Sequence, residues 1–119
     1  IWATWCGPCV EEIPNVVSTY RQSPARGFAV VGISFDQAPD AAQPSKGQKT
    51  AEQVLAFTKA HGMPWPQFYD GSYWKNPFGR KYGIQAIPAM FLLDQNGMVV
   101  STNAGGPRLA AEIKRLLKL

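Results

Sequence analysis

The chain is poor in metal ligands. Its 119 residues include one histidine, His61, and two cysteines, Cys6 and Cys9. A zinc site takes about four nitrogen or sulfur ligands, so these three residues do not complete one and no metal site is expected. Charge is also sparse, at 17% Asp, Glu, Lys and Arg with a net charge of +4. The positive residues fall into small groups, Lys75, Arg80, Lys81 and Lys114, Arg115, Lys118, which read as solvated helix faces. Nucleic-acid binding needs a continuous basic stripe with interleaved aromatics, and none is present. No apolar run approaches the length of a membrane span and no basic-then-apolar leader occurs, so the chain is silent on its own targeting. Nothing resembles a nicotinamide or flavin site, and no cofactor is expected. There is no internal repeat.

What remains is a soluble globular composition, 45% hydrophobic, suited to one domain over residues 1–119. Its distinctive stretch is Trp5-Cys6-Gly7-Pro8-Cys9, which holds both cysteines within four residues, after apolar Ile1-Trp2-Ala3-Thr4 and before a helical pattern. The spacing places Cys6 at the mouth of a helix and Cys9 one turn inside it, close enough for the sulfurs to bond. Cys6 then faces unpaired N–H groups and the positive end of the helix dipole, which favour its thiolate. It is the expected nucleophile. Pro8 suits the first helical positions, Gly7 allows close approach by another chain, and Trp5 flanks the thiol. A purely structural disulfide rarely closes so short a loop, because chain-entropy stabilisation grows with loop length. Redox exchange is the better reading.

Beyond the motif, Ile13, Val16, Val17 and Tyr20 recur at helical spacing from Pro8 to about Arg21, and Ser23-Pro24-Ala25-Arg26-Gly27 breaks the helix. Glu11 and Glu12 read as solvated first-turn acids, near enough to Cys9 to pass protons. Phe28 to Phe35 is a nearly continuous apolar run ending at Asp36, expected as a central strand buried on both faces. Asp36 to Lys49 reads as a long exposed loop. Thr50-Ala51-Glu52-Gln53 has the capping-box form, opening a helix that runs to about His61 and stops at Gly62. His61 reads as a last-turn capping cation or a partly buried ring. Gln67 to Asp70 is a short strand, and Pro77 to Tyr82 a short helix ended by Gly83. The dense aromatics from Trp65 to Tyr82 read as core or rim packing. Ala89 to Asp94 and Met98 to Thr102 flank Gln95-Asn96-Gly97 as a hairpin. Pro107 opens a last helix with Leu109, Ile113, Leu116 and Leu117 on one face.

The Trp5–Cys9 motif resembles the active site of the thioredoxin superfamily. Pro14 lies where those proteins place a helix-kinking proline, and Ile87-Pro88 before Ala89 to Asp94 resembles their cis-proline strand. The separation from Cys9 to Pro88 leaves room for an inserted strand and helix, as in the thiol-disulfide oxidoreductases related to TlpA and ResA. The resemblance covers essentially the whole chain. It implies an α/β protein, a three-layer α/β/α sandwich with a mixed central sheet and an αβ insertion before the cis-proline strand. The N-terminal hairpin usual in the family has no counterpart, so the chain reads as an N-terminally truncated domain. The buried acid of many thioredoxins, six residues before the first cysteine, would lie before Ile1.

The resemblance also implies a function. Cys6 attacks a substrate disulfide and Cys9 resolves the mixed disulfide, while Ile87 offers strand-like hydrogen bonds beside Pro88. Gly7-Pro8 between the cysteines points to a reductase of protein disulfides, fed by an upstream redox partner such as a membrane thiol transporter. The implied location is outside the cytoplasm, in the bacterial periplasm or on a membrane anchor, and a monomer is expected. Water, Glu11, Glu12 or a residue outside the chain would take the Cys9 proton. Other readings are copper(I) handling through the two thiolates, peroxiredoxin-like peroxide reduction, and a binding module whose disulfide regulates contacts.

Overall fold

The computed structural model describes residues 1–22 and 27–118. The expected helix break falls mainly on residues 23–26, outside the described residues. Helix α1 (Gly7–Gln22) runs through Pro14. It turns Ile13 and Val17 into one cluster with Trp2, Phe35, Val54 and Trp65, and Val16 towards a second around Leu92, Leu109 and Ile113. One helix thereby joins two apolar cores.

Strand β1 (Gly32–Ser34) pairs in parallel with β2 (Gln67–Tyr69), in register from Gly32–Gln67 to Ser34–Tyr69. On its other side Trp2 forms a parallel bridge to Ser34, through Trp2 N to Ile33 O at 3.0 Å and Phe35 N to Trp2 O at 2.8 Å. Ile1 continues the series: its N donates to Ala89 O at 2.8 Å and its O accepts from Ala89 N at 3.1 Å. Beyond Ala89, β3 (Leu92–Leu93) pairs antiparallel with β4 (Val99–Ser101) across a register shift. The mixed sheet is therefore two short regular pairs linked through Ile1-Trp2.

Two strand expectations need correction. The run Phe28 to Phe35 is a regular strand only over Gly32–Ser34, and Val31 is 64% exposed rather than buried. Gly32 N bonds to Pro66 O at 2.9 Å, and there the ladder stops. The segment leading into β2 carries Pro64 and Pro66, which have no N–H to donate. Likewise Ala89 to Asp94 is regular only over Leu92–Leu93, because Ala89 pairs with Ile1 and Met90 O accepts from Ala104 N at 3.1 Å. The hairpin itself is present, its turn held by Asp94 Oδ1, which accepts from Asn96 N and Met98 N at 2.9 and 3.0 Å.

The inserted segment follows the sequence closely. Helix α2 (Ala51–Ala60) begins with the capping box: Thr50 Oγ1 accepts from Gln53 N and Gln53 Oε1 from Thr50 N. His61 is the C-terminal cap but is exposed, its ring stacked 4.0 Å from that of Phe57 and its Nδ1 on Phe57 O. After β2, a 3-10 turn over Tyr73–Lys75 leads into α3 (Pro77–Lys81). Asn76, fully buried, caps α3 by accepting from Phe78 N and Gly79 N. Gly79 lies so close to Phe35 that a Cβ there would meet its ring at 2.5 Å. Helix α4 (Pro107–Leu117) closes the second core with Leu109 and Ile113. Among the described residues no helix is long and apolar enough to cross a membrane.

Candidate active site

Cys6 occupies the N-cap of α1. Its carbonyl accepts the first helical hydrogen bond, from Val10 N at 3.0 Å. Its Sγ accepts from Cys9 N at 3.2 Å, where a serine or aspartate oxygen sits in an ordinary N-cap. A thiolate at this position is favoured by that amide and by the positive end of the helix. Cys9 lies one turn further on, and the two form a disulfide with a Cα separation of 5.2 Å, within the usual span. Both are buried, Cys6 at 5% exposure and Cys9 at 3%. Trp5, Gly7 and Pro8 around them are exposed, and a Cβ on Gly7 would meet open space. An approaching chain thus meets no side chain at Gly7.

The opposite wall comes from far along the sequence. The Ile87–Pro88 peptide bond is cis, and Ile87 O lies 3.7 Å from Cys6 Sγ. In the disulfide that sulfur carries no proton; in the dithiol it can donate to the carbonyl. Among the described residues no hydrogen bond engages Ile87 N–H, and Pro88 is exposed. An unpaired backbone group beside the sulfur can bond an extended segment, as a strand edge does.

The loop entering the motif is held by a residue that the sequence reading passed over as the end of an apolar run. Asp36, fully buried, accepts from Thr4 N at 3.1 and 3.2 Å, from Thr4 Oγ1, and from Ser34 Oγ at 2.7 Å. Thr4 is two residues from Cys6, so this carboxylate fixes the backbone leading into Cys6. The available signal was a lone acid closing an apolar strand, since a buried acid needs dedicated partners. Trp5 Nε1 reaches Phe35 O at 3.4 Å. Of the acids named as proton acceptors, Glu11 is exposed, while Glu12 Oε1 accepts from Asn15 Nδ2 at 2.6 Å and Gly106 N at 2.9 Å, tying α1 to the start of α4. Among the described residues no group of three or more His, Cys, Asp or Glu converges.

Fold and site together define a thioredoxin-like α/β protein built around a dithiol–disulfide pair. The chain belongs to the Redoxin family, whose profile matches residues 1–117. It is 28% identical over 104 residues to the thioredoxin-like protein YneN of Bacillus subtilis (strain 168), across 87% of this chain and 53% of that one. It is 27% identical over 108 residues to the thiol-disulfide oxidoreductase ResA of Bacillus thuringiensis (strain Al Hakam), across 87% of this chain and 51% of ResA. The chain thus spans about half the length of these curated relatives. The solved thiol-disulfide oxidoreductase from Bacteroides fragilis NCTC 9343 shares the fold, with a TM-score of 0.78 at 23% identity over 97% of this chain and 76% of that one. The resemblance to TlpA- and ResA-like proteins is borne out.

Proposed function

We propose that this chain is a thiol-disulfide oxidoreductase that reduces protein disulfides through Cys6 and Cys9. The observation that carries the reading is the Cys6–Cys9 disulfide at the mouth of α1, with Cys9 N on Cys6 Sγ and the Ile87 carbonyl opposite. The names of the relatives support it.

In the proposed cycle the dithiol form loses a proton from Cys6, and the thiolate attacks one sulfur of a substrate disulfide. That S–S bond breaks, a Cys6–substrate disulfide forms, and the departing thiolate takes up a proton. Cys9 then gives up its proton and attacks Cys6 Sγ, so the second substrate sulfur leaves as a thiol. Two electrons have passed from the dithiol to the substrate, and Cys6 and Cys9 are again bonded. In this reading Trp5, Gly7 and Pro8 present the sulfur, while Ile87 and Pro88 hold the substrate backbone. Electrons return by the reverse exchange from an upstream dithiol protein, with a membrane thiol transporter as the proposed donor. Residues 1–119 are read as one monomeric unit working outside the cytoplasm, where substrate disulfides persist.

Equilibration of the Cys6–Cys9 couple against dithiothreitol buffers tests direction. A reductase gives a potential near that of thioredoxin, about −270 mV; a value near that of DsbA, about −120 mV, overturns it in favour of an oxidant. Cys6→Ser is expected to abolish reduction of hydroxyethyl disulfide by the dithiol form, and retained activity defeats the enzymatic reading.

A further inference from the structure

The segment from Tyr73 to Tyr82 leaves its aromatic rings partly exposed at the rim of the core. Tyr73 and Phe78 are 37% exposed and Tyr82 49%. The exposure does not come from a loose segment: buried Asn76 caps α3, Gly79 lies against Phe35, Trp74 meets Phe35 at 5.4 Å and Phe78 meets Phe68 at 5.0 Å, so the rings are held in place with part of each in solvent. Tyr73 has φ of 56°, a left-handed conformation unusual for a residue with a Cβ. This surface is continuous with the redox motif. Trp5 contacts Tyr73 edge-on at 5.5 Å and Trp74 at 6.1 Å between ring centroids. At the other end Tyr82 meets Phe91, three residues beyond Pro88, at 5.9 Å.

The charges on this stretch are of one sign. Lys75, Arg80 and Lys81 are all exposed. Among the described residues the ion pair present is Arg115–Glu112 on α4, so none of the three is neutralised. Asp70, the nearest acid in sequence, is exposed and pairs with none of them; its Oδ1 accepts from Ser72 N at 3.0 Å and Asn76 Nδ2 at 3.4 Å. Exposed aromatics beside arginine are the usual make-up of an interface centre, and unpaired cations select an acidic partner.

We propose that Trp5 and the Tyr73–Tyr82 segment form the docking surface for the client polypeptide, selecting clients whose disulfide is flanked by acidic and aromatic residues. The proposal rests on the oxidoreductase reading and names its substrate class. Aromatic side chains of the client cover Tyr73, Trp74 and Phe78, and its carboxylates meet Lys75, Arg80 and Lys81.

The test is a titration of the oxidised full chain with a cysteine-free peptide of alternating Glu and Leu or Phe, read by the fluorescence of Trp5 and Trp74. The same peptide with Lys for Glu is the comparison. The acidic peptide is expected to bind about tenfold more tightly at low ionic strength, with the preference shrinking as salt rises. Replacing all three cations, Lys75→Glu, Arg80→Glu and Lys81→Glu, is expected to reverse the order. A charge-matched variant, Lys46→Glu, Lys59→Glu and Lys114→Glu, keeps it. Equal binding of the two peptides, a preference that survives the first triple variant, or one lost equally in the second overturns the proposal. So does exclusive binding to phosphatidylglycerol vesicles, or self-association that buries the tryptophans. Reduction of hydroxyethyl disulfide by the wild-type dithiol is measured separately, so failure of the redox reading and failure of the docking surface give different results.

Discussion

Removal of the Asp36 carboxylate tests how the motif is held. Asp36 accepts from Thr4 N, Thr4 Oγ1 and Ser34 Oγ, and both Asp36 and Ser34 are fully buried. In Asp36→Ala the Thr4 hydroxyl, on a half-buried residue, turns to water, but Thr4 N and Ser34 Oγ lose their partner. A buried donor left unmatched costs about 1–3 kcal/mol, and two at the lower half of that range cost about 3 kcal/mol. At about 4 °C per kcal/mol for a domain of this size, Tm falls by about 12 °C. Asp36→Asn keeps one carbonyl acceptor and costs about 1 kcal/mol. The assay is thermal and urea unfolding of the oxidised protein, with unchanged m-value as the check that only stability moved. Hydrogen exchange supplies the local readout: the Thr4 amide loses protection in the alanine variant before the helices do. A loss below about 1 kcal/mol in Asp36→Ala, or an asparagine as damaging as the alanine, would refute the reasoning.

Further predictions concern the elements around the site. Thr50→Ala removes the oxygen that receives Gln53 N and should lower stability by about 1 kcal/mol in urea unfolding. Gly79→Ala puts a methyl against the Phe35 ring, and an expected loss of about 1–3 kcal/mol should appear in the same assay. Tyr69 donates its phenol to Lys49 O at 2.6 Å, and burial first, then the charges of Asp36, Glu52 and Asp70, raise its pKa above the ordinary value of 10.0. The neutral phenol is favoured in the folded state, so its contribution is whole below the unfolded pKa and is lost as pH climbs through the higher folded one. Absorbance titration of wild type against Tyr69→Phe should show one tyrosine ionising late; ionisation at an ordinary pH would contradict this.

The legible parts of this protein are those whose hydrogen bonds close within a few residues. The start of α1 at the cysteines, the Thr50–Gln53 capping box, the Asp94–Met98 turn and the proline-led α4 could each be read from adjacent letters. Strand lengths could not, because they depend on what lies alongside: Pro64 and Pro66 end the β1–β2 ladder, and Ala89 leaves its hairpin to pair with Ile1. The aromatics Tyr73, Trp74, Phe78 and Tyr82 read as core or rim packing, and the 3-10 turn and α3 set them at the rim, packed on Trp5, Phe35, Phe68 and Phe91 with part of each ring exposed.

For the site the division is the same. The local sequence determined that Cys6 and Cys9 share one helix turn and can bond, because a two-residue spacer at a helix mouth allows little else. Tertiary structure alone decided that the Ile87 carbonyl, 81 positions away, faces Cys6 Sγ, and that a buried aspartate at the end of β1 anchors Thr4. No neighbouring letter encodes those contacts, since they arise only where the packed sheet brings the ends of separate strands together.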